Sequence, residues 1–263
     1  MFEQYAEIAF NDRLTPDTWV MGLRSAEIAG RAKPGQFVMI RVRSGVDPLL
    51  RRPFSICGVK EDLFLVLYRV VGRGTAIMTE AGGGQELKVL GPLGKAFEAP
   101  KTGKRCLLVG GGIGVAPLFF LAQSLKERKF QFLMGFRSVA EIISLDHAVG
   151  RKGEVLIATD DGTEGHVGFV TDLLEMALEG SRAQKRSIAL FTCGPKPMLR
   201  RVAQMAADRK ISCQASLEAT MACGLGACQG CAVKAASKEE RPYYHVCQEG
   251  PVFPREVIDW DRL

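Results

Sequence analysis

Four cysteines late in the chain have the type and spacing to do redox chemistry. Cys223, Cys228 and Cys231 stand at C-x4-C-x2-C, and Cys247 follows after fifteen intervening residues. This is the plant-type spacing for a [2Fe-2S] cluster, in which four thiolates hold two irons. The chain must wrap tightly around such an inorganic core. Gly224, Gly226 and Gly230 are expected to supply the close approach and the positive φ that a Cβ would obstruct. Zinc is the alternative for four cysteines, but zinc ribbons pair one C-x2–4-C with a second such pair. Here three are bunched and one is distant, which favours the cluster. Cys57, Cys106, Cys193 and Cys213 lie singly in apolar or strand-like surroundings, and Cys57 and Cys106 read as small buried hydrophobes.

Two further constellations suit nucleotides. Arg52-Pro53-Phe54-Ser55 places a guanidinium, an aromatic ring and a hydroxyl on one extended segment. These can serve the pyrophosphate, the isoalloxazine face and the N5 edge of a flavin nucleotide in turn. Leu67-Tyr68-Arg69, followed by Gly72-Arg73-Gly74-Thr75, adds a second arginine and a glycine turn ahead of a helix start suited to phosphate. Singly, each is an ordinary strand with surface arginines; together, at this separation, they suit a flavin nucleotide.

The third constellation is Gly110-Gly111-Gly112-Ile113-Gly114, which follows the apolar run Arg105–Val109 and precedes an apolar helix expected to reach about Lys129. Strand, glycine loop and helix form the setting of a dinucleotide-binding turn. Gly111, Gly112 and Gly114 would admit a pyrophosphate, and Pro117 fits the first helical turn. Two more loops follow strands: Thr159-Asp160-Asp161-Gly162, and Cys193-Gly194-Pro195-Lys196-Pro197. Acidic Asp160 and Asp161 would disfavour a 2′-phosphate near the ribose, whereas Arg137 would favour one, so residue pattern leaves NAD and NADP both open.

The elements that must position these groups divide the chain in three. Thr18–Leu23, Phe37–Val42 and Leu63–Val71 read as strands, punctuated by Pro34-Gly35 and Gly82-Gly83-Gly84. Residues 1–100 are therefore expected to close into an antiparallel β-barrel. From 101 to 212, strands at Arg105–Val109, Phe130–Phe136, Glu154–Thr159 and Ser187–Thr192 alternate with helices, the later ones at Gly168–Glu179 and Pro197–Arg209. That alternation predicts a Rossmann-like parallel α/β domain. Residues 213–263 are too few to fold without a staple, which a cluster would supply.

Composition narrows the function classes. With 263 residues and 47% hydrophobic content there is ample core, and the net charge of +6 is spread along the chain. A nucleic-acid face is not expected, while patches for phosphate-bearing cofactors are. No uncharged apolar run reaches the roughly 20 residues of a membrane span. Met1–Glu7 has no basic or apolar leader pattern, so no disulfides and a cytoplasmic setting are expected.

Arg52-Pro53-Phe54-Ser55 resembles the R-x-Y/F-S flavin motif of the ferredoxin–NADP reductase superfamily, with Phe54 in place of the commoner tyrosine. Leu90-Gly91-Pro92-Leu93-Gly94 is similar to the G-P-x-G element that closes that superfamily's barrel, and Cys193-Gly194-Pro195 to its turn beside the nicotinamide. The order barrel, dinucleotide domain, cluster segment narrows the likeness. So do Ser216-Leu217-Glu218 ahead of Met221-Ala222-Cys223, and Val246-Cys247-Gln248-Glu249-Gly250-Pro251-Val252-Phe253. Together they resemble the electron-transfer subunits of type B dihydroorotate dehydrogenase, over nearly the whole chain from Pro34 to Phe253.

The resemblance implies an FMN-containing catalytic partner that oxidises dihydroorotate to orotate in pyrimidine (UMP) biosynthesis. It also implies a heterotetramer of two catalytic and two electron-transfer subunits. In it this chain would carry electrons from the partner's FMN through the [2Fe-2S] cluster and FAD to NAD+, and the lean towards NAD comes chiefly from this likeness. No acid–base residue is implied, and His147, His166 and His245 are assigned no catalytic role. The alternatives are the small subunit of an NADH-dependent reduced ferredoxin:NADP oxidoreductase, where an aspartate commonly replaces one cluster cysteine, a free-standing reductase, and a non-enzymatic iron–sulfur sensor.

Overall fold

A computed structural model describes residues 1–98, 103–125, 128–144, 153–179, 188–236 and 241–263. The expected barrel boundary at 100/101, His147 and Ser187 lie outside the described residues.

The barrel is built from β1 (Phe2–Arg13), β2 (Thr18–Arg24), β3 (Phe37–Arg41), β4 (Arg52–Lys60), β5 (Leu63–Arg69) and β6 (Glu86–Leu93). They close antiparallel in the order β1-β2-β5-β4-β3-β6. Alternating side chains converge inside, among them Ile8, Met21, Ile40, Ile56, Val66 and Val89, all fully buried. The sequence reading found three of these six strands. β1 escaped because its clearest inward residues are only Ala6 and Ile8 in a run rich in charge. β4 and β6 were read for their motifs, and an arginine, prolines and glycines mask their β character. Two short helices decorate the barrel. In α1 (Ala26–Ala29), the Ser25 hydroxyl accepts from the Ile28 amide at its N-cap; α2 (Arg73–Thr79) follows β5.

The second sheet takes β7 (Arg105–Gly111), β8 (Phe130–Phe136), β9 (Gly153–Thr159), β10 (His166–Val167), β11 (Ile188–Cys193) and β12 (Ser212–Ser216). Beyond it come the small ribbon β13 (Ala232–Lys234) with β14 (Tyr243–His245), and then β15 (Val252–Pro254). The sheet order is β10-β9-β8-β7-β11-β12-β15, parallel throughout except for the last pair. The helices are α3 (Val115–Ser124), α4 (Val170–Glu179) and α5 (Lys196–Asp208). α3 ends five residues short of the expected Lys129.

α3 shows no apolar stripe because Val115 through Ala122 are all buried. A helix apolar all round is one packed on every side. Leu118 and Phe119 join the core of the sheet, whereas Phe120 joins the core of the barrel. Gln123 locks the same junction: its Nε2 donates to the Val59 carbonyl at 2.7 Å, and its Oε1 accepts from the Val59 amide at 3.1 Å.

The sheet continues past residue 212 through β12, and β15 returns to pair antiparallel with it, Ala215 opposite Phe253. The last fifty residues are anchored by apolar packing as well as by their cysteines. Leu217, Val246, Phe253 and Ile258 form one core with Phe37, Met39, Leu90 and Leu93 of the barrel and Leu199 of α5. Among the described residues no helix is long and apolar enough to cross a membrane.

Candidate functional site

The four late cysteines converge between β12 and β15. Cys231 Sγ lies 3.3 Å from Cys247 Sγ, both buried, while Cys223 is half-buried and Cys228 exposed. Backbone amides are aimed at the sulfurs. Leu225 and Cys228 donate to Cys223 Sγ at 3.3 and 3.4 Å, and Gly226 donates to Cys247 Sγ at 3.1 Å. Gly224 and Gly226 take φ of +73° and +81°. A Cβ at Gly224 would sit 2.6 Å from Met39 Cγ. Gly230 does not take a positive φ; Gln229 does, at +58°, so the sequence reading placed that turn one residue late.

Among the described residues no three His, Cys, Asp or Glu side chains close on one metal ion. The sulfurs fall instead as two pairs, Cys223 beside Cys228 and Cys231 beside Cys247. Two pairs of soft thiolate donors, with amides hydrogen-bonded to the sulfur, fit a two-iron core. The thiols differ electrostatically. At Cys223 slight burial opposes ionisation, but the Leu225 and Cys228 amides outweigh it and bring the thiol down to about 6. At Cys247 burial, reinforced by the Cys231 thiol, pushes it up to about 12.

Beside this loop, a cleft of about 350 Å³ opens between the barrel and the tail. Arg52, Pro53, Phe54 and Ser55 on β4 line it, with Leu67, Tyr68 and Arg69 on β5 and Thr75 on α2. Gly74 leaves room for the Arg52 guanidinium, which a Cβ there would displace from the first turn of α2. Thr75 Oγ1 accepts from the Val71 and Gly72 amides at 3.0 and 3.3 Å, fixing the turn. Phe54 packs edge-on to Tyr68, with ring centres 6.0 Å apart. The Tyr68 hydroxyl donates to Asn11 Oδ1 on β1 at 2.9 Å, while the residue itself lines the cleft, and burial pushes its pKa up to about 12.

Sequence reasoning gave no site role to Leu217, Glu218 and Met221, yet all three line this cleft from the tail. Burial raises the Glu218 carboxyl above its ordinary value, against the opposing pull of Arg69. The Ser216-Leu217-Glu218 run was the available signal, read only as a mark of resemblance.

A second cleft, of about 560 Å³, lies at the carboxyl ends of β7, β8 and β9. Gly111, Gly112, Asp160 and Pro195 line it, with Arg137, Glu141, Phe169 and Arg201. The order of strand addition reverses between β7 and β11, the switch point where open α/β sheets bind ligands. The glycines divide their work. A Cβ on Gly114 would lie 2.5 Å from Gly194 Cα, and one on Gly111 would lie 2.7 Å from Met198 Sδ. Only Gly112, at φ +53°, faces open space, with Arg69 Nη2 the nearest atom at 4.0 Å. Gly114 and Gly194 therefore let two loops pack backbone to backbone.

Cys193 is buried behind Gly194, and burial first, with Glu218 adding, raises its thiol far above the ordinary range. Asp160 lines the cleft, whereas Asp161 is turned away. Thr163 holds the Asp161 carboxylate through Oγ1 at 2.6 Å and its amide at 3.0 Å, and these bonds lower its pKa. His166 stands 3.8 Å from Asp172, and His245 stands 3.5 Å from Glu249.

A closed antiparallel barrel, a parallel α/β sheet with a glycine loop at its switch point and a four-thiol loop between them define an oxidoreductase chain of the ferredoxin-reductase type with an iron–sulfur segment. Residues 218–259 match the iron–sulfur cluster binding domain of dihydroorotate dehydrogenase B. The chain is 37% identical to the dihydroorotate dehydrogenase B (NAD(+)) electron transfer subunit of Desulforamulus reducens, covering 94% of this chain and 95% of that one. It is 40% identical to the subunit of the same name from Bacillus caldolyticus, over 90% of each. The chain belongs to the family of dihydroorotate dehydrogenase B (NAD(+)) electron transfer subunits. A solved NADH-dependent reduced ferredoxin–NADP oxidoreductase superposes with a TM-score of 0.84 at 29% identity, over 98% of this chain and 91% of that one. A ferredoxin reductase of carbazole 1,9a-dioxygenase shares the fold, with a TM-score of 0.68 at 22% identity over 80% and 66%.

Proposed function

We propose that this chain carries electrons from an FMN-containing dihydroorotate dehydrogenase subunit to NAD+, in pyrimidine biosynthesis. The supporting observation is adjacency: Leu217, Glu218 and Met221 run from the thiol loop into the wall of the first cleft, and Arg69 lines both clefts. When bound, the cluster passes single electrons, the flavin passes single electrons or hydride, and nicotinamide takes hydride only.

The residues divide the holding of these groups. Cys223, Cys228, Cys231 and Cys247 hold the iron. Arg52 carries the flavin diphosphate with Gly74 and Thr75, and Arg69, which lines both clefts, stands between the flavin and the nicotinamide nucleotide; Phe54, Pro53, Ser55, Leu67 and Tyr68 shape the isoalloxazine wall. Gly111, Gly112, Gly114, Asp160, Cys193, Gly194 and Pro195 build the nicotinamide nucleotide side, the buried thiol as packing behind the loop. Asp160 accepts ribose hydroxyls and repels a 2′-phosphate. In units, residues 1–100 serve FAD, 101–212 serve NAD and 213–263 serve the cluster. Assembly is a cytoplasmic heterotetramer of two catalytic and two electron-transfer subunits.

Co-expression with the FMN subunit tests the reading. Dihydroorotate-dependent NADH formation that requires this chain is the expected result. Turnover with reduced ferredoxin, and no dihydroorotate-dependent NADH, would transfer the chain to the ferredoxin-coupled reading that the likeness to the NADH-dependent reduced ferredoxin–NADP oxidoreductase favours.

A further inference from the structure

Arg69 is the one side chain of β4 and β5 that lines both clefts. Two carboxylates from different halves of the molecule hold it. Asp17, in the turn between β1 and β2, puts Oδ2 3.2 Å from Arg69 Nε. Its other oxygen accepts from the Thr15 and Thr18 hydroxyls, which tie it to the barrel. Glu141 comes from the short turn Val139–Glu141 after β8, and its Oε2 accepts from Arg69 Nη2 at 3.4 Å. Arg69 Nε is buried without a hydrogen bond, despite its closeness to Asp17, so the guanidinium has donor capacity to spare. Its Nη2 is also the nearest atom to the open face of Gly112, in the loop the second cleft is built around.

We propose that Arg69 is passed from Glu141 to the diphosphate of the incoming nicotinamide dinucleotide, making Glu141 an internal competitor for the phosphate site. This rests on the reading of the second cleft as the nucleotide site. A diphosphate offers two charged groups to the guanidinium fork where Glu141 offers one oxygen at a long distance. Glu141 does not lose its charge partner in the exchange, because Arg137 Nη1 already stands 3.9 Å from its other oxygen. Binding would thus replace the Glu141 half of an ion-pair bridge between barrel and sheet with ligand.

The exchange can be tested with the FAD- and cluster-loaded chain by titrating NADH and, separately, ADP-ribose, which has the diphosphate without the nicotinamide. Glu141→Gln is expected to tighten both by about two- to fivefold, the scale of a partly exposed ion pair. Arg69→Gln should weaken both, and adding Glu141→Gln to it should restore nothing. An equal gain in the Arg69→Gln background would mean that Glu141 merely repels phosphate, and weaker binding by Glu141→Gln would mean that it positions Arg69; either overturns the exchange. A parallel cycle on Arg137→Gln, outside the flavin cleft, must retain the gain; loss there would assign the competition to Arg137. Failure of the unaltered chain to bind either probe removes the nucleotide reading itself, whereas binding indifferent to Glu141 removes only the exchange.

Discussion

Gly114→Ala isolates what the glycine loop does. Gly114 has φ −63° and ψ −7°, which alanine adopts freely, so no backbone strain enters. An alanine there would by itself gain about 0.4–1 kcal/mol from the unfolded chain. Its Cβ, however, would lie 2.5 Å from Gly194 Cα and 2.6 Å from the Cys193 carbonyl carbon and oxygen. Carbon contacts settle at about 3.5–4.0 Å, so the overlap is roughly 1 Å against main chain. That main chain cannot swing aside like a rotamer, because Cys193 is paired to Gly110 across β11 and β7. Overpacking of this kind costs about 1–3 kcal/mol, and the clash wins. The net loss should lower the thermal midpoint by about 2–8 °C. NADH affinity should fall with it as the two loops are pushed apart. Circular dichroism melting and NADH titration read both effects. Gly82→Ala, with nothing within 4 Å of its Cβ, is the matched control and should stay near the parent. A Gly114→Ala protein with the parent's midpoint and NADH affinity would refute the packing role.

Four further outcomes are expected. Cys228→Ser should abolish the visible absorption of the cluster and dihydroorotate-dependent NADH formation, while NADH still bleaches FAD; normal NADH formation would place electron flow elsewhere. Gly226→Ala forces an alanine to φ +81° at the amide that binds Cys247 Sγ, a cost of about 1–2 kcal/mol, and iron content per chain should drop on purification. Gln123→Ala leaves the Val59 amide and carbonyl without their side-chain partner and should cost about 1–3 kcal/mol in urea titration. Glu218 holds its proton longer folded than unfolded, so its contribution to stability is complete below the ordinary carboxylate range and is lost as pH rises through the raised folded value. Glu218→Gln should flatten that part of the stability–pH curve, and an unchanged slope would show that the carboxyl is not the group responsible.

Legibility in the sequence followed local signal. The parallel sheet was plain because β7, β8 and β11 are apolar runs followed by loops or helices. The cysteine segment was plain because its spacing is written along the chain. β1 was hidden, since a strand whose clearest inward residues are Ala6 and Ile8 carries little hydrophobic contrast. The division of labour among the glycines was hidden too: whether a missing Cβ faces ligand or another loop depends on Gly194, eighty residues away from Gly114. Glu218 became a cleft residue only once β12 was laid beside β11, a long-range pairing that no local pattern states.

The pairing of β15 with β12 bears on how a redox partner is met. Cys223 through Cys247 form a loop between two strands of one sheet, so both ends of the loop are riveted to the framework that carries the nucleotide cleft. Such a loop cannot travel as a carrier on a tether, accepting charge at one place and delivering it at another. The placement of the four thiols beside the first cleft is thereby tied to the strand register. Cys228 is the exposed one of the four cysteines, so a redox partner would meet the loop as a fixed terminal on that side.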